Sequence, residues 1–150
     1  MRRVCSLFGL ALALAANAVV ACDRPVYLSF DTGHMGVAPL VAEVLSKHQV
    51  KVTFFLANER TQGGGASLDE EWAPWWRARA AEGHAFGSHT WDHDVWLADL
   101  KDGRFRTRPT QGAHAMKSRT LDAAAYCAEL QKPAERFRQI TGQPLGAMAV

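Results

Sequence analysis

The order of elements along this sequence predicts an α/β fold, and two observations carry that expectation. Short runs rich in aromatic and β-branched residues recur at 26–30 and 52–56, with a third, shorter run at 85–88; segments of helical spacing lie between them. Neither of the first two runs alternates cleanly, which is the pattern of strands buried on both faces of a parallel sheet. Strand–helix–strand–helix–strand then implies right-handed crossovers. At 150 residues and 16.5 kDa the chain holds one domain with enough mass for a real core.

The N-terminus is set apart from that domain. Met1-Arg2-Arg3 is positive, and residues 4–20 are apolar apart from Ser6 and Asn17, with no charge before Asp23. The run is slightly short of the roughly 20 apolar residues a spanning helix needs, and it ends in small residues. Residues 1–21 therefore read as a signal peptide and 22–150 as the domain. Ala16-Asn17-Ala18 fits the small-x-small cleavage pattern, whereas Val19-Val20-Ala21-Cys22 loosely resembles a lipobox with Cys22 as a lipidated first residue. An uncleaved anchor is the third reading. All three export the domain, to the periplasm or medium or onto a membrane as a lipoprotein, and membrane contact is expected only through this segment.

Arg2 and Arg3 account for the whole formal charge of +2, leaving 15 basic and 15 acidic residues. That balance argues against nucleic acid, whose binders carry a basic surplus. Cys22 and Cys127 could pair in an oxidising compartment unless Cys22 is lipidated. A monomer is expected.

The first strand, 26–30, is stopped by Asp31-Thr32-Gly33. A helix follows over 37–48, with Pro39 in its first turn and Leu40, Val41, Val44 and Leu45 on one face. After the strand at 52–56 comes a loop with Gly63-Gly64-Gly65. Ser67 and Glu70 have capping-box spacing, Pro74 can reset the helix start, and Gly83 closes a helix ending at Glu82. Residues 97–119, basic and rich in Gly, Pro, Thr and Gln, read as a solvated loop or, alternatively, a flap over a polar groove. A last helix spans 121–140, with Leu130, Phe137 and Ile140 on one stripe and Pro133 kinking it. Residues 145–150 approach a fourth strand.

Two clusters fall where an α/β fold places its site, at the carboxyl ends of strands. In the first, Asp31 is either a carboxylate held at the rim or a helix or turn cap. In the second, His89 and His93 stand four apart, so one helical turn or a tight loop can bring both imidazoles onto one cation, and neutral imidazole suits Zn and its neighbours. Asp92 and Asp94 either hydrogen-bond the rings and fix their tautomers or are plain surface acids. His34 is a further ligand or a nearby loop residue. Trp91 and Trp96 flank the histidines as candidate pocket walls. Trp72, Trp75 and Trp76 read as packing residues, with a sugar-stacking platform as the alternative. His48 and His114 read as surface residues.

Together these clusters resemble the NodB homology domain, the polysaccharide deacetylases of carbohydrate esterase family 4. Ser29-Phe30-Asp31-Thr32-Gly33 is similar to the family's T-F-D-D-G motif, and His89-Thr90-Trp91-Asp92-His93 matches H-[ST]-x-x-H throughout. The strand 52–56 and Gly83-His84 fall where the family has their like. The resemblance implies a distorted (β/α) barrel, of which this chain is the N-terminal portion, and removal of N- or O-acetyl groups from an acetylated glycan such as peptidoglycan or a chitin-like polymer. It implies a divalent metal, Zn with Co or Ni as alternatives, held by His89 and His93, with Asp31 as catalytic base. Thr32, His34, Trp91 and Asp92 would stand near substrate or behind the ligands.

Two departures qualify the match. Thr32 occupies the position of the family's second aspartate, which normally completes an Asp-His-His triad; a hydroxyl removes one negative charge and one strong bond, predicting weaker metal binding. Some relatives that act on peptidoglycan also lack an acid there. The family's later motifs, an Arg near a Pro, an Asp-Trp pair and a Leu-x-His general acid, do not occur before Val150. The chain is therefore expected to be truncated and to fold and catalyse poorly alone, with a strand edge unpaired. A non-catalytic exported glycan-binding relative is the second reading, and an exported metal-binding protein the third.

Overall fold

In the computed structural model, which describes residues 24–149, four short parallel strands form one sheet and three antiparallel strands form another. The expected signal segment and Cys22 lie outside the described residues; among those described, no helix is long and apolar enough to cross a membrane. In chain order the elements are β1 (Ser29–Asp31), α1 (Ala38–His48), β2 (Thr53–Leu56), α2 (Ala73–Ala81), β3 (Ala85–Ser88), β4 (Asp94–Asp99), β5 (Phe105–Pro109), β6 (Arg119–Leu121), α3 (Ala123–Thr141) and β7 (Ala147–Met148). The parallel sheet has the order β1-β2-β3-β7. The approach to a fourth strand thus completes itself as β7, beside β3.

One row of the register positions the site: Asp31 pairs with Phe55, Phe55 with Gly87, and Gly87 with Ala147. A Cβ on Gly87 would stand 2.5 Å from the Phe55 ring and 3.0 Å from the Ala147 carbonyl oxygen. Glycine is what lets β2 and β7 flank β3 this closely.

The core lies on the opposite face of that sheet. Phe54, Leu56 and Phe86 meet Trp76 from α2 and Phe137 and Ile140 from α3. The rings of Phe86 and Phe137 are 4.5 Å apart, and Trp76 donates its indole N–H to the Ser67 carbonyl at 2.7 Å. Trp76 is buried, with Trp72 and Trp75 packed against the same cluster, so the three tryptophans serve packing.

Several expectations about these elements need correction. β1 is not buried on both faces: it is the sheet's edge, its three residues are exposed, and Val26 and Tyr27 precede it as exposed chain rather than strand. In α1 the buried residues are Ala38, Ala42 and Leu45, with Val41 partly buried, while Leu40 and Val44 face out. No capping box forms at Ser67. Its hydroxyl is buried, donating to the Ala57 carbonyl at 2.6 Å and accepting the Glu59 N–H at 3.1 Å.

The region 97–119 is not one continuous loop: residues 97–99, 105–109 and 119 are strand, with turns between them. Together with Asp94 and its neighbours it builds the β4-β5-β6 sheet. This sheet is tied down by charge: the fully buried Asp94 carboxylate accepts from Thr107 Oγ1 at 2.8 Å and from Arg119 Nε at 3.1 Å, and Arg119 Nη2 pairs with it as well. α3 starts at an Asp122 cap, where the carboxylate accepts the Ala125 N–H, and ends at Gly142 in the left-handed region. The helix runs on through Pro133.

Candidate active site

Asp31 ends β1, and His89 directly follows β3, so parallel strands deliver both to one rim. His89 Nε2 stands 3.6 Å from Asp31 Oδ2, and the Asp31 side chain is about half exposed. His93 returns to this rim through a tight loop: the His89 and His93 ring centroids are 4.5 Å apart. The loop is not helical. Thr90 and His93 both have positive φ, +60° and +53°. For a β-branched residue such as Thr90 that conformation costs on the order of 1–3 kcal/mol and must be held from outside.

The holding contacts are evident. Thr90 is completely buried, and its hydroxyl accepts the Asp94 N–H at 2.7 Å. The Asn58 N–H donates to the Trp91 carbonyl at 2.8 Å, the Trp91 N–H donates to the Glu129 carbonyl at 3.1 Å, and the Thr110 N–H donates to the His93 carbonyl at 3.0 Å. β2's exit, α3 and β5's exit all grip the same five residues.

Each imidazole has its Nδ1 engaged by an oxygen. His89 Nδ1 lies 3.1 Å from the Ala149 carbonyl, and His93 Nδ1 pairs with Glu59 Oε1. A carbonyl can only accept, so His89 donates its Nδ1–H to it, and in the neutral ring the lone pair is on Nε2. The Glu59 carboxylate imposes the same tautomer on neutral His93, and holds that imidazole's pKa above its ordinary value against the opposing effect of burial. In the neutral rings this tautomer points Nε2 of each imidazole away from its oxygen partner. Two such imidazoles fit a Zn-like ion in chemistry, although among the described residues no group of three or more His, Cys, Asp or Glu side chains is arranged to hold a metal.

The remaining candidates are placed as follows. Thr32 is buried, and its hydroxyl is used by one neighbour: it accepts the Ala57 N–H at 2.8 Å and donates to the Ala57 carbonyl at 3.1 Å. It clasps β1 to the end of β2. His34 is exposed, its Nδ1 accepting the Gly36 N–H at 3.0 Å within its own turn. Trp91 is half-buried and packs against the core. The Asp92 carboxylate lies against Gly112, whose φ is +76° and where any side chain would strike it; burial raises its pKa. Trp96 turns toward Phe105 and Tyr126, at 4.5 and 5.3 Å between centroids, in the second sheet. A cavity of about 160 Å³ opens beside Asp31, lined by Phe30, His34, Met35, Val41, Phe54 and Trp75 among others, and neither His89 nor His93 borders it.

Glu59 was not legible as a site residue. It lies in the polar stretch Ala57-Asn58-Glu59-Arg60, with no motif around it. The one available signal was position: like Asp31 and His89, it follows a strand's carboxyl end closely.

Comparison with known proteins places the chain in a family. The family model described as Polysaccharide deacetylase matches residues 19–149. A chitin deacetylase from Pestalotiopsis sp. is 34% identical over 102 residues, covering 67% of this chain and 32% of that protein. A chitooligosaccharide deacetylase from Azorhizobium caulinodans is 35% identical over 69 residues, covering 45% and 29%. Among solved structures, the family 4 carbohydrate esterase PdaA of Bacillus subtilis aligns with a TM-score of 0.53 at 25% identity, over 81% of this chain and 40% of that one. The chitin deacetylase of Colletotrichum lindemuthianum aligns with a TM-score of 0.56 at 23% identity, over 84% and 47%. The chain thus spans about a third of the length of those curated relatives and under half of the solved chains, and its parallel sheet is part of their (β/α) barrel. From the residues of the rim and the match across 19–149, this chain belongs to the polysaccharide deacetylase family.

Proposed function

We propose that this chain carries the metal-and-base half of a site that removes acetyl groups from an exported glycan, peptidoglycan or a chitin-like polymer. The observation that supports this reading most is the convergence of Asp31, His89 and His93 at one rim, with the Nδ1 of each imidazole engaged by an oxygen. His89 and His93 would hold a divalent ion, Zn with Co or Ni as alternatives. When bound, such an ion polarises an acetyl carbonyl and makes an attacking water more acidic. Asp31, on an exposed rim, accepts that water's proton as general base. Its position beside His89 lets one carboxylate serve the reacting water without being buried by it. The signal segment at 1–21 would deliver this chemistry outside the cytoplasm, where such glycans lie.

Single-turnover acetate release from N-acetylglucosamine oligomers and from peptidoglycan, with protein in excess, tests the reading because it registers slow chemistry. Asp31→Asn is expected to lower the rate by about 10²–10⁴-fold. An unchanged rate removes Asp31 as the base. Thr32, which offers its hydroxyl to Ala57 and no charge to the rim, favours the second reading, a glycan binder without the reaction. Glycan binding with no acetate release under any metal would establish it.

A further inference from the structure

Glu59 is the one carboxylate of the rim that is buried, 6% exposed, and it sits three residues beyond β2. Burying a carboxylate is unfavourable unless it is paired and hydrogen-bonded. Its Oε1 pairs with His93 Nδ1, and its Oε2 faces Gly33, where a Cβ would stand 3.6 Å away. Its backbone is clamped on both sides by Ser67: the Glu59 N–H donates to Ser67 Oγ at 3.1 Å, and the Ser67 N–H donates to the Glu59 carbonyl at 2.8 Å. Ser67 is itself fully buried. The backbone that carries the carboxylate is therefore held at two points.

We propose that Glu59 is the positioning carboxylate of this site: it takes the Nδ1–H of His93, turns Nε2 outward, and supplies the negative charge that Thr32 does not. The inference rests on the metal reading above and deepens it. A histidine that ligates a metal through one nitrogen commonly donates its other N–H to a carboxylate, which fixes the ring and raises its basicity. Thr32 cannot supply a negative charge, and its hydroxyl is turned to Ala57, donating to that residue's carbonyl and accepting its N–H. Glu59 approaches from β2 rather than β1, so the charge enters one ring behind the ion.

The test compares the full chain with Glu59→Gln and His93→Ala, using zinc competition against a chromophoric chelator and the visible spectrum of the Co(II) form. Glu59→Gln is expected to weaken zinc by about 10–100-fold and to shift the cobalt bands, with the apo melting temperature read alongside. If His93→Ala loses the metal while Glu59→Gln binds as the parent chain does, this inference is overturned and the metal reading stands. If neither substitution changes affinity, the metal reading fails and this inference with it. Nitrogen NMR of the unaltered chain needs no variant. His93 should carry its proton on Nδ1, and zinc should shift Nε2; a protonated Nε2, or zinc at Nδ1, overturns the proposal.

Discussion

The backbone N–H of Trp91 donates to the carbonyl of Glu129 at 3.1 Å, and that carbonyl is free because Pro133, four residues on in α3, has no N–H to offer it. A proline in a helix interior ordinarily costs about 3 kcal/mol. Here the vacancy it creates docks the histidine loop onto α3, and Ser88 Oγ adds a bond to the next carbonyl, Leu130, at 2.9 Å. The site's tightest turn is thus held by a deliberate gap in the helix behind it.

Pro133→Ala restores a competing N–H for the Glu129 carbonyl. The Trp91 amide is expected to exchange its proton roughly fivefold faster, the equivalent of a net hydrogen bond of about 1 kcal/mol. Hydrogen exchange resolved to that residue checks it. Unchanged protection at Trp91 would mean the two bonds do not compete.

The second sheet hangs on the Asp94–Arg119 pair. Asp94's side chain is wholly buried, whereas Arg119's is 21% exposed. Arg119→Met leaves a buried charge without its cation and is expected to destabilise the chain by about 3 kcal/mol in urea unfolding. Adding Asp94→Leu should recover most of that loss, since an apolar pair removes the uncompensated charge. A single-variant loss below about 1 kcal/mol would show that Thr107 alone satisfies Asp94.

His84 gives a pH dependence. It is buried, its Nδ1 accepts the Val52 N–H at 3.2 Å, and burial pushes its pKa below the ordinary 6.5 while Glu82 partly opposes the shift. The folded state therefore favours the neutral ring, and between the two values the unfolded chain binds more protons. Stability from this group is present above 6.5 and is lost as pH falls below it. With metal chelated, the urea midpoint should drop from about pH 7.5 to about pH 5.5, and His84→Gln should flatten that drop. Equal slopes in the two chains would assign the effect elsewhere.

β2 was legible because Val52-Thr53-Phe54-Phe55-Leu56 is apolar and β-branched, and Phe54 and Leu56 are buried in it. The antiparallel sheet was not, and β5 shows why. In Phe105-Arg106-Thr107-Arg108-Pro109 the buried positions are Thr107 and Pro109. Thr107 is buried to reach a carboxylate, not to pack against apolar groups, so hydrophobic periodicity has nothing to register. On α1 the buried residues include Ala38 and Ala42, which carry little hydrophobic signal, while Leu40 and Val44 face out. At the site, His89, His93 and Asp31 announce themselves by motif. Glu59 belongs to no motif, and its role depends on β2 ending at the same rim, which only the pairing of β2 with β1 and β3 reveals.

The central claim is that His89 and His93 act on one ion. Cobalt or zinc titration of the chain against His89→Ala and His93→Ala tests it most directly. The account predicts one equivalent of metal bound by the parent chain, and its loss in each variant with the fold retained by circular dichroism. Undiminished binding in both variants would contradict it.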